Sequence, residues 1–354
     1  MNDPYAKSGT DVDADLLVVG GGPVGLVTAL YAALAGMSVV VLESRPGPVD
    51  KACGEGLMPS ALQRLASLGV DPSGHAFSGI GYNDTHGRRV TAQFPAHSGQ
   101  GRGVRRTELN RALAQRSAAV GVQVLQQRAE EVQQGLDWVQ SGGVRARWLA
   151  AADGLHSPIR RQLALNKPGR KLARYGLRRH VQLAPWSDLV EVHWAADAEC
   201  YVTPIAADTV GIAVLTSTRG RSLNQWLNEF PDLARRIDGA EIASADRGAG
   251  PLEQRVSQLV SGRVLLVGDA AGYVDALTGE GMAAGFAQAQ QLVAAISAGA
   301  PQQYELAAAR VTRTSRALTT GLLRATSLRP VRRALVPAAS AAPWAFAHIV
   351  GKLA

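Results

Sequence analysis

Six consecutive residues, Gly20 to Gly25, have the spacing G-x-G-x-x-G, which suits the binding of a dinucleotide's phosphates. Gly20 permits a tight turn, Gly22 leaves no Cβ where a pyrophosphate approaches, and Gly25 allows close packing of helix on strand. The helix that follows presents free N–H groups and the positive end of its dipole. These residues predict a dinucleotide-phosphate site that also contains Pro23 and Val24.

The flanking residues supply the elements that such a site needs. Residues 16–19 form an apolar run typical of a strand, residues 26–35 favour a helix, and residues 38–42 form a second apolar run. Glu43 follows, 23 residues after Gly20, where a carboxylate can accept hydrogen bonds from ribose hydroxyls. The pattern predicts a strand–turn–helix–strand unit.

The stretch from Leu16 to Leu42 has no charged residue and is long enough to cross a membrane. The early break at residues 20–23, the β-branched start and the acidic rather than basic flank oppose that interpretation. We interpret the stretch as buried in an α/β unit. The polar, slightly acidic residues 1–14 lack the basic start of a signal peptide, and we expect them to be flexible.

Two further turns follow predicted strands. Residues 144–152 alternate and lead into Asp-Gly at 153–154, and residues 262–267 lead into Gly-Asp at 268–269. The sequence L-T-G-E-G-M then precedes a helical pattern over 283–298. Because Asp-Gly alone marks only a turn, the order of the motifs carries the information.

That order resembles the FAD-dependent oxidoreductases of the p-hydroxybenzoate hydroxylase-like class, which includes aromatic hydroxylases, flavin halogenases and geranylgeranyl reductases. The resemblance implies that Asp269 bonds the ribityl chain of FAD. It also implies that the helix starting at 279–282 points N–H groups at the flavin and stabilises negative charge there. Asp153 and Gly154 would lie near the pyrophosphate and near NAD(P)H, a transient electron donor.

An arginine at the start of a helix, in G-V-R-R-T-E-L-N-R-A-L, resembles the one that lies against FAD in this class. Arg106 is the candidate and Arg105 the alternative; without a cofactor, the segment is a solvated basic turn. The residues predicted to contact FAD are Gly20, Gly22, Pro23, Val24, Gly25, Glu43, Ser44, Arg45, Lys51, Cys53, Gly54, Arg106, Asp153, Gly154, Gly268, Asp269, Gly279, Gly281 and Met282.

The sequence departs from the classical hydroxylases at Gly272, Ala276 and Ala283, where those enzymes usually have His, Pro and Asn. G-D-A-A-G followed by T-G-E-G-M is more similar to the geranylgeranyl reductase and halogenase branches. Geranylgeranyl reductases also carry a Cys-Gly pair close to the flavin ring, which is Cys53-Gly54 here. The halogenase lysine and its motifs are not recognisable, which disfavours halogenation.

The side chains that bear chemistry leave alternatives open. A free cysteine such as Cys53 is usually a small buried hydrophobe, and reactivity requires a lowered thiol pKa. Its glycine-rich loop favours close approach to a ligand. The candidate catalytic residues are Cys53, Glu55, His193 and Tyr201. The regular spacing of His75, His86 and His97 is interpreted as coincidence, so no metal site is predicted.

The segment 172–218 alternates as strands do. It predicts an antiparallel meander over 175–183, 189–194, 200–204 and 209–216, with a last turn at 206–208. By resemblance, this sheet covers the flavin ring and gains strands from residues 82–94. The substrate-side candidates are His180, His193, Trp194 and Tyr201. Both histidines are equally well explained as sheet-surface residues, and Tyr201 either donates a hydrogen bond or packs.

The net charge of +8 originates in the C-terminal tail. Residues 306–354 contain eight basic residues and no acidic one, whereas the rest of the 354-residue chain holds 29 of each sign. A basic footprint confined to one tail argues against a nucleic-acid-binding main body. With only two cysteines the chain has no disulfide framework, which fits the reducing cytoplasm.

We expect the tail to form short helices, broken at Pro330, Pro337 and Pro343, that pack on the FAD-binding part. The alternative is that the tail docks on an anionic membrane or an acidic carrier protein. Three arginines spaced three apart, Arg310, Arg313 and Arg316, would then form one basic helix face.

The predicted fold is α/β, with a Rossmann-like FAD-binding domain of the glutathione reductase type, an inserted antiparallel-sheet substrate domain and C-terminal helices. The predicted domains are residues 15–74, 101–165 and 255–305 for FAD binding, 75–100 and 166–254 for the substrate, and 306–354 for the basic helices.

The resemblance implies an FAD monooxygenase that uses NAD(P)H and O2 to hydroxylate an aromatic or electron-rich apolar small molecule through a flavin C4a-hydroperoxide. The alternative is a geranylgeranyl reductase-like enzyme that reduces double bonds of an isoprenoid or lipid, which Cys53-Gly54 and G-E-G-M favour. A third hypothesis is a non-catalytic flavoprotein that acts on a partner protein.

Overall fold

The computed structural model describes residues 12–169 and 173–354, so most of the predicted flexible N-terminus lies outside the described residues. The strands are β1 Ala14–Val19, β2 Val39–Leu42, β3 Gly56–Leu57, β4 His75–Phe77, β5 Gly79–Asp84, β6 Arg89–Gln93, β7 Gly101–Gly103, β8 Gln123–Leu125, β9 Gln133–Gln134, β10 Val139–Ser141, β11 Val144–Ala151, β12 Asn166–Lys167, β13 Tyr175–Gln182, β14 Leu189–Trp194, β15 Ala198–Ala206, β16 Thr209–Thr216, β17 Glu241–Ile242, β18 Arg247–Ala249, β19 Arg255–Val256, β20 Val260–Ser261 and β21 Val264–Leu266. The helices are α1 Pro23–Leu34, α2 Pro59–Ser67, α3 Arg106–Ala119, α4 Pro158–Gln162, α5 Leu223–Leu227, α6 Pro231–Arg236, α7 Gly281–Ser297, α8 Gln303–Thr326, α9 Arg329–Ala341 and α10 Pro343–Gly351.

A largely parallel sheet holds the first glycine turn. Its strand order is β20-β21-β11-β1-β2-β8, with β20 antiparallel to β21 and all other neighbours parallel. Helices α1 and α7 cover one face, where Leu26, Leu30 and Phe286 join Leu16 and Val18 of β1 in one core cluster. Burial on both faces explains why these strands read as continuous apolar runs. The turns after β1, β11 and β21 therefore meet at one edge.

A second sheet is inserted into the chain between these strands. Its order is β17-β13-β16-β15-β14-β5-β6, antiparallel throughout except between β14 and β5. Strands β14, β15 and β16 follow one another as a meander, and the strands within 82–94 belong to this sheet. The predicted four-strand meander is wrong in one respect, because β13 pairs with β16 and not with β14. Alternation identifies a strand but not its neighbours.

The inserted sheet has two distinct faces, because successive side chains of a strand alternate. We call the side that bears Arg178, His180, Trp194, Tyr201 and Thr203 the inner face; the register of β13 to β16 places them together. Helices α5 and α6 cover the opposite, outer face. The inner face meets the loop before β3 and the C-terminal helices.

The C-terminal helices differ from the expectation in three ways, of which the first is length, because α8 has 24 residues and is not short. Helix α8 packs on α7, but α9 and α10 pack on β5, β6 and β14 of the inserted sheet. Pro330 and Pro343 each begin a helix, a position where a missing N–H costs nothing, whereas Pro337 lies inside α9 without ending it. Burial of the neighbouring Val336 against the sheet offsets the lost hydrogen bond.

None of the described helices is long and apolar enough to cross a membrane by itself. Helices α9 and α10 satisfy the length and composition criteria only together, and they are bent by 101° at the break between them.

Candidate functional site

The glycine turn after β1 is built as its spacing predicts. Gly20 has a φ of +111°, and a Cβ there would lie 2.4 Å from the Ala152 carbonyl oxygen. A Cβ at Gly25 would lie 1.8 Å from the Gly20 oxygen, so helix and strand approach too closely for a side chain. At Gly22 the nearest atom would be Arg106 Nη2, at 3.4 Å. The first and third glycines serve the fold, and the second opens the helix N-terminus to a ligand.

Glu43 is buried at the end of β2 and organises this turn. Its carboxylate accepts the Gly21 N–H at 3.0 Å and three bonds from the backbone and guanidinium of Arg45. Although burial acts to raise it, these bonds hold the pKa of Glu43 below its usual value. All four acceptor positions are engaged, so a ribose hydroxyl would have to displace the half-exposed Arg45 side chain. Ser44 is exposed beside them.

Three cations surround the turn. Partial desolvation by the surrounding protein and the like charges of Arg45 and Arg106 lower the pKa of Lys51, whose Nζ would lie 3.4 Å from a Cβ at Gly154. Within residues 12–169 and 173–354, Arg106 Nε is buried without a hydrogen-bond partner. Burial raises the pKa of Asp269, against the attraction of Arg106 and Lys51. A cluster that crowds cations and leaves a buried donor unpaired fits an anionic group such as a pyrophosphate.

The Asp-Gly turn after β11 lies beside the first turn. Asp153 Oδ2 accepts the Ile159 N–H at 3.1 Å at the start of α4, and burial raises the pKa of Asp153. Gly154 has a φ of +87°, a conformation that favours glycine. The structure therefore brings the Asp-Gly pair next to Gly20 and Lys51, while the Asp153 carboxyl group caps a helix.

Two buried residues that sequence reasoning missed connect these turns. Arg160 donates to the backbone oxygens of Asp269 and Ala270 at 3.2 and 3.0 Å, and to Gln254 at 2.7 Å. Asn110 Nδ2 donates to the Gly21 carbonyl at 2.7 Å. Arg160 and Asn110 lie in or directly after the motifs that carry the family resemblance. Arginine and asparagine are usually exposed to solvent, however, so their residue types did not indicate a buried role.

The start of α7 borders the same space. Gly279 has a φ of +70°, and a Cβ at Gly281 would lie 3.1 Å from the Tyr273 ring. Met282 packs against the parallel-sheet core. Burial raises the pKa of Glu280 to about 7, against hydrogen bonds from Ser315 and Thr278.

The loop that carries Cys53, Gly54 and Glu55 joins the two sheets. Glu55 is buried, has a φ of +59°, and accepts the Arg106 N–H at 2.7 Å. Its other carboxylate oxygen contacts His180 Nε2 of β13. Thr203 of β15 donates to the Gly54 carbonyl at 3.0 Å. The inserted sheet therefore fixes this loop against the helix that bears Arg106.

A second buried contact fixes the proton on His180. Arg178 Nη1 lies 3.1 Å from His180 Nδ1, and Arg178 also bonds Asp50 and the Lys51 carbonyl. A guanidinium group only donates, so Nδ1, which also contacts the Ser244 hydroxyl at 2.8 Å, accepts this bond, and Nε2 is the nitrogen that carries a ring proton. We assign that proton to the bond with Glu55.

Cys53 lies at the centre of this arrangement as a protonated thiol. Burial raises its pKa, despite the nearby charge of Arg106, and the charge of Glu55 raises it further. The Glu55 N–H donates to Cys53 Sγ at 3.4 Å. A raised pKa is the opposite of what a thiolate nucleophile requires, so the group at this position is one that holds a proton at neutral pH.

The four substrate-side candidates do not share one surface. His180, Trp194 and Tyr201 lie on the inner face, but His193 lies on the outer face, 3.3 Å from Glu191. His193 and Trp194 are adjacent in one strand and therefore point to opposite sides, which contradicts their joint assignment. Tyr201 donates its hydroxyl proton to the Leu277 carbonyl at 2.7 Å, next to the α7 loop.

Comparison with known proteins identifies the class. Residues 13–303 match the family described as FAD binding domain. The chain is 28% identical to menaquinone reductase of Mycobacterium tuberculosis strain H37Rv over 306 residues, covering 77% of this chain and 74% of that protein. It is 25% identical to digeranylgeranylglycerophospholipid reductase 1 of Methanothermobacter thermautotrophicus over 325 residues, covering 81% and 79%.

A hydroxylating enzyme is about as similar. The chain is 27% identical to para-nitrophenol 4-monooxygenase of Pseudomonas sp. strain WBC-3 over 327 residues, covering 80% of this chain and 77% of that one. Among solved structures, the flavin-dependent brominase Bmp2 matches with a TM-score of 0.80 at 16% identity, covering 96% and 93%. The structural match confirms the predicted fold class.

Proposed function

The chain belongs to the FAD binding domain family and is an FAD-dependent oxidoreductase, and from this premise we propose that it reduces carbon–carbon double bonds of an isoprenoid or an isoprenoid-bearing lipid. NAD(P)H is the proposed electron donor, as a transient visitor. The glycine turn, Lys51 and Arg106 would hold the pyrophosphate of FAD, since they provide the anion-binding donors described above, and Asp269 lies beside these cations as a hydrogen-bond acceptor.

The observation that carries this proposal is the placement of Cys53 in a loop that is fixed from both sides, by the Arg106 N–H on Glu55 and by Thr203 on Gly54. Reduction of a double bond requires a hydride at one carbon and a proton at the other, and bound FAD supplies the hydride. Cys53 is the proposed proton donor, and the raised pKa of its thiol means that the proton is present at neutral pH. Glu55, held between the Arg106 N–H and His180, positions that thiol.

The relatives and the inner face support the same substrate class. Menaquinone reductase and digeranylgeranylglycerophospholipid reductase are both named for reductases of isoprenoid compounds. Next to Tyr201 the inner face is apolar, with Val192 and Trp194 buried in one cluster with Leu277 and Phe346. These side chains are packed against α9 and α10, so they keep water away from the Tyr201 side of the sheet, and an apolar lining of this kind is compatible with a lipid substrate.

A second candidate function is hydroxylation of an aromatic or electron-rich apolar compound, which the similarity to para-nitrophenol 4-monooxygenase favours. Two acid–base candidates for that chemistry are not free on the inner face. His193 points to the outer face, and the Tyr201 hydroxyl is engaged by Leu277. We therefore rank reduction first.

The test is the oxidation of reduced, protein-bound FAD under argon. Geranylgeraniol, a geranylgeranyl glycerophospholipid and a polyprenyl naphthoquinone are added separately, with the saturated alcohol phytanol as the matched control. We expect at least one of the two non-quinone unsaturated lipids to restore the absorbance of oxidised FAD, and phytanol to leave it reduced. The second candidate would be supported if FAD stays reduced with every unsaturated lipid. In addition, its oxidation by oxygen in the presence of an aromatic compound would have to yield the hydroxylated compound.

A further inference from the structure

Exposed apolar side chains are concentrated at the C-terminal end of the chain. Of ten exposed large apolar residues in the described part, six lie in the tail: Leu306, Val311, Leu328, Val331, Trp344 and Ile349. Trp344 is the most prominent, with 77% of its surface exposed at the start of α10. Isolated exposed apolar residues are ordinary, but Val331, Trp344 and Ile349 lie on the two consecutive helices α9 and α10, and grouped exposed apolar residues mark an interaction surface.

Alanines continue this surface along α9. Ala334, Ala338 and Ala341 are exposed beside Val331, at the spacing of one helix face. We call the exposed side of α9 and α10, from Val331 to Ile349, the outward face. It carries no acidic residue.

The cations of the tail are mostly unpaired. Arg332 is buried against Glu199, and Arg329 pairs with the exposed Asp197. In the part of the chain that the structure describes, the other six basic residues form no ion pair: Arg310, Arg313, Arg316, Arg324, Arg333 and Lys352. Arg333 is exposed on α9 and Lys352 directly after α10, and Arg324 is exposed near the end of α8, five residues before α9, so the apolar outward face has exposed cations on and next to its helices.

The opposite side of the same helices is packed against the inserted sheet. The outward face is therefore exposed while the helices are in their packed position. The Phe346 and Tyr82 ring centroids are 4.6 Å apart, and Val336 and Val350 are buried in the same cluster. Arg332 Nε donates to the Ala195 carbonyl at 2.6 Å. The helix pair thus packs one side against the inserted sheet and exposes the other side to solvent.

We propose that the outward face docks the protein on an anionic lipid membrane. Tryptophan prefers the membrane interface, and basic side chains reach anionic headgroups while their stems cover apolar surface. Two short helices bent by 101° suit a position in the plane of the interface, with the apolar side buried at the acyl boundary. The single sign of the flanking charges matches an anionic surface.

Docking would have a consequence if the proposed reaction also holds. The packed side of α9 and α10 covers the apolar part of the inner face, which leads to Tyr201 and the Cys53 loop. Docking would therefore hold this side of the inserted sheet next to the membrane. Membrane binding itself does not depend on the reaction, because it rests on the outward face alone.

The experiment is flotation of the FAD-loaded protein with vesicles, without substrate. Vesicles of phosphatidylcholine with one quarter phosphatidylglycerol are compared with vesicles of phosphatidylcholine alone. We expect the protein to float with the anionic vesicles, and added salt to release it because it screens the charges. Trp344→Ser should weaken binding about tenfold, and Arg324→Ala and Arg333→Ala about fivefold each.

Matched controls separate docking from general surface effects. Leu136, which is 98% exposed, and Arg128 lie on the surface of the parallel-sheet part, so Leu136→Ser and Arg128→Ala should bind as the wild type does. Retained FAD shows that each variant is folded. Equal weakening by the controls, equal binding to both vesicle types, or binding only to an acidic carrier protein would overturn the proposal.

Discussion

Cys53 is the residue whose protonation state most limits the chemistry available here. Burial and the neighbouring Glu55 keep it as a thiol, which makes it a donor of protons and a poor nucleophile. The free Cys200, fully buried on the outer face, is a natural comparison because it has no contact with the Cys53 loop.

We expect Cys53→Ala to lower the rate of double-bond reduction by about a hundredfold, as loss of a general acid does, with FAD still bound. Cys200→Ala should keep the rate and lower the free energy of unfolding by about 1 kcal/mol. The measurement is the rate at which an unsaturated lipid oxidises reduced, bound FAD under argon. If the Cys53→Ala protein has the wild-type rate, Cys53 does not donate the proton.

Glu55→Gln tests how the Cys53 loop is held. The amide can still accept the Arg106 N–H, but its NH2 group would oppose the proton on His180 Nε2. The loop should loosen, and iodoacetamide should alkylate Cys53 on the order of tenfold faster. The exposed Glu131→Gln is the control. An unchanged alkylation rate in Glu55→Gln would show that the contact with His180 does not position the thiol.

Residue-level roles were only partly predictable from the sequence. Alternation along a strand already forbids His193 and Trp194 from sharing a face, but only the observed pairing tells which face is inner. Arg160 was missed because its partners Gln254 and Asp269 lie 94 and 109 residues away. No local pattern reports such a contact.

At the scale of elements, different glycines of the turn between β1 and α1 are needed for folding and for FAD binding. A Cβ at Gly22 meets only the end of the Arg106 side chain, whereas a Cβ at Gly25 collides with backbone. We expect Gly22→Ala to fold but to bind FAD at least tenfold more weakly, since the methyl group occupies the approach of the pyrophosphate. Gly25→Ala should not give a stable protein. Urea unfolding of the apoprotein and FAD titration distinguish the two effects, and tight FAD binding by Gly22→Ala would contradict this assignment.

Glu280, at the start of α7, makes the stability depend on pH. Burial raises its pKa from an ordinary value of 4.5 to about 7, so the folded chain binds more protons than the unfolded chain between these values. Stability therefore falls as pH rises from 4.5 to about 7, by on the order of 2 to 3 kcal/mol. Asp275, whose pKa burial raises to about 6, acts in the same direction, as do Asp153 and Asp269, whose pKa burial also raises.

Glu280→Gln should remove the part of this fall that is due to Glu280, leaving the parts due to Asp275, Asp153 and Asp269. Urea midpoints of the FAD-loaded protein at a series of pH values measure it, with the exposed Glu241→Gln as the control. If the stability of the variant falls with pH as steeply as that of the wild type, the pKa of Glu280 is not raised in the folded protein.

On the scale of the whole molecule, the sequence predicted the class and missed the placement of its C-terminus. Strand, turn and helix patterns are local, so the units around Gly20, Asp153 and Asp269 were predictable. Whether the tail packs on the parallel-sheet part or on the inserted sheet depends on long-range contacts such as Phe346 with Tyr82. That placement makes the tail part of the substrate side.

The most direct test of the central claim is the mass of the lipid product. The FAD-loaded protein, NADPH or NADH, and a lipid with a geranylgeranyl or polyprenyl chain are incubated under argon and, in parallel, under air. Double-bond reduction predicts that the chain gains two hydrogen atoms in both atmospheres, and that Cys53→Ala forms little of this product. A lipid unchanged under argon, with one oxygen atom added to a substrate only under air, would contradict it.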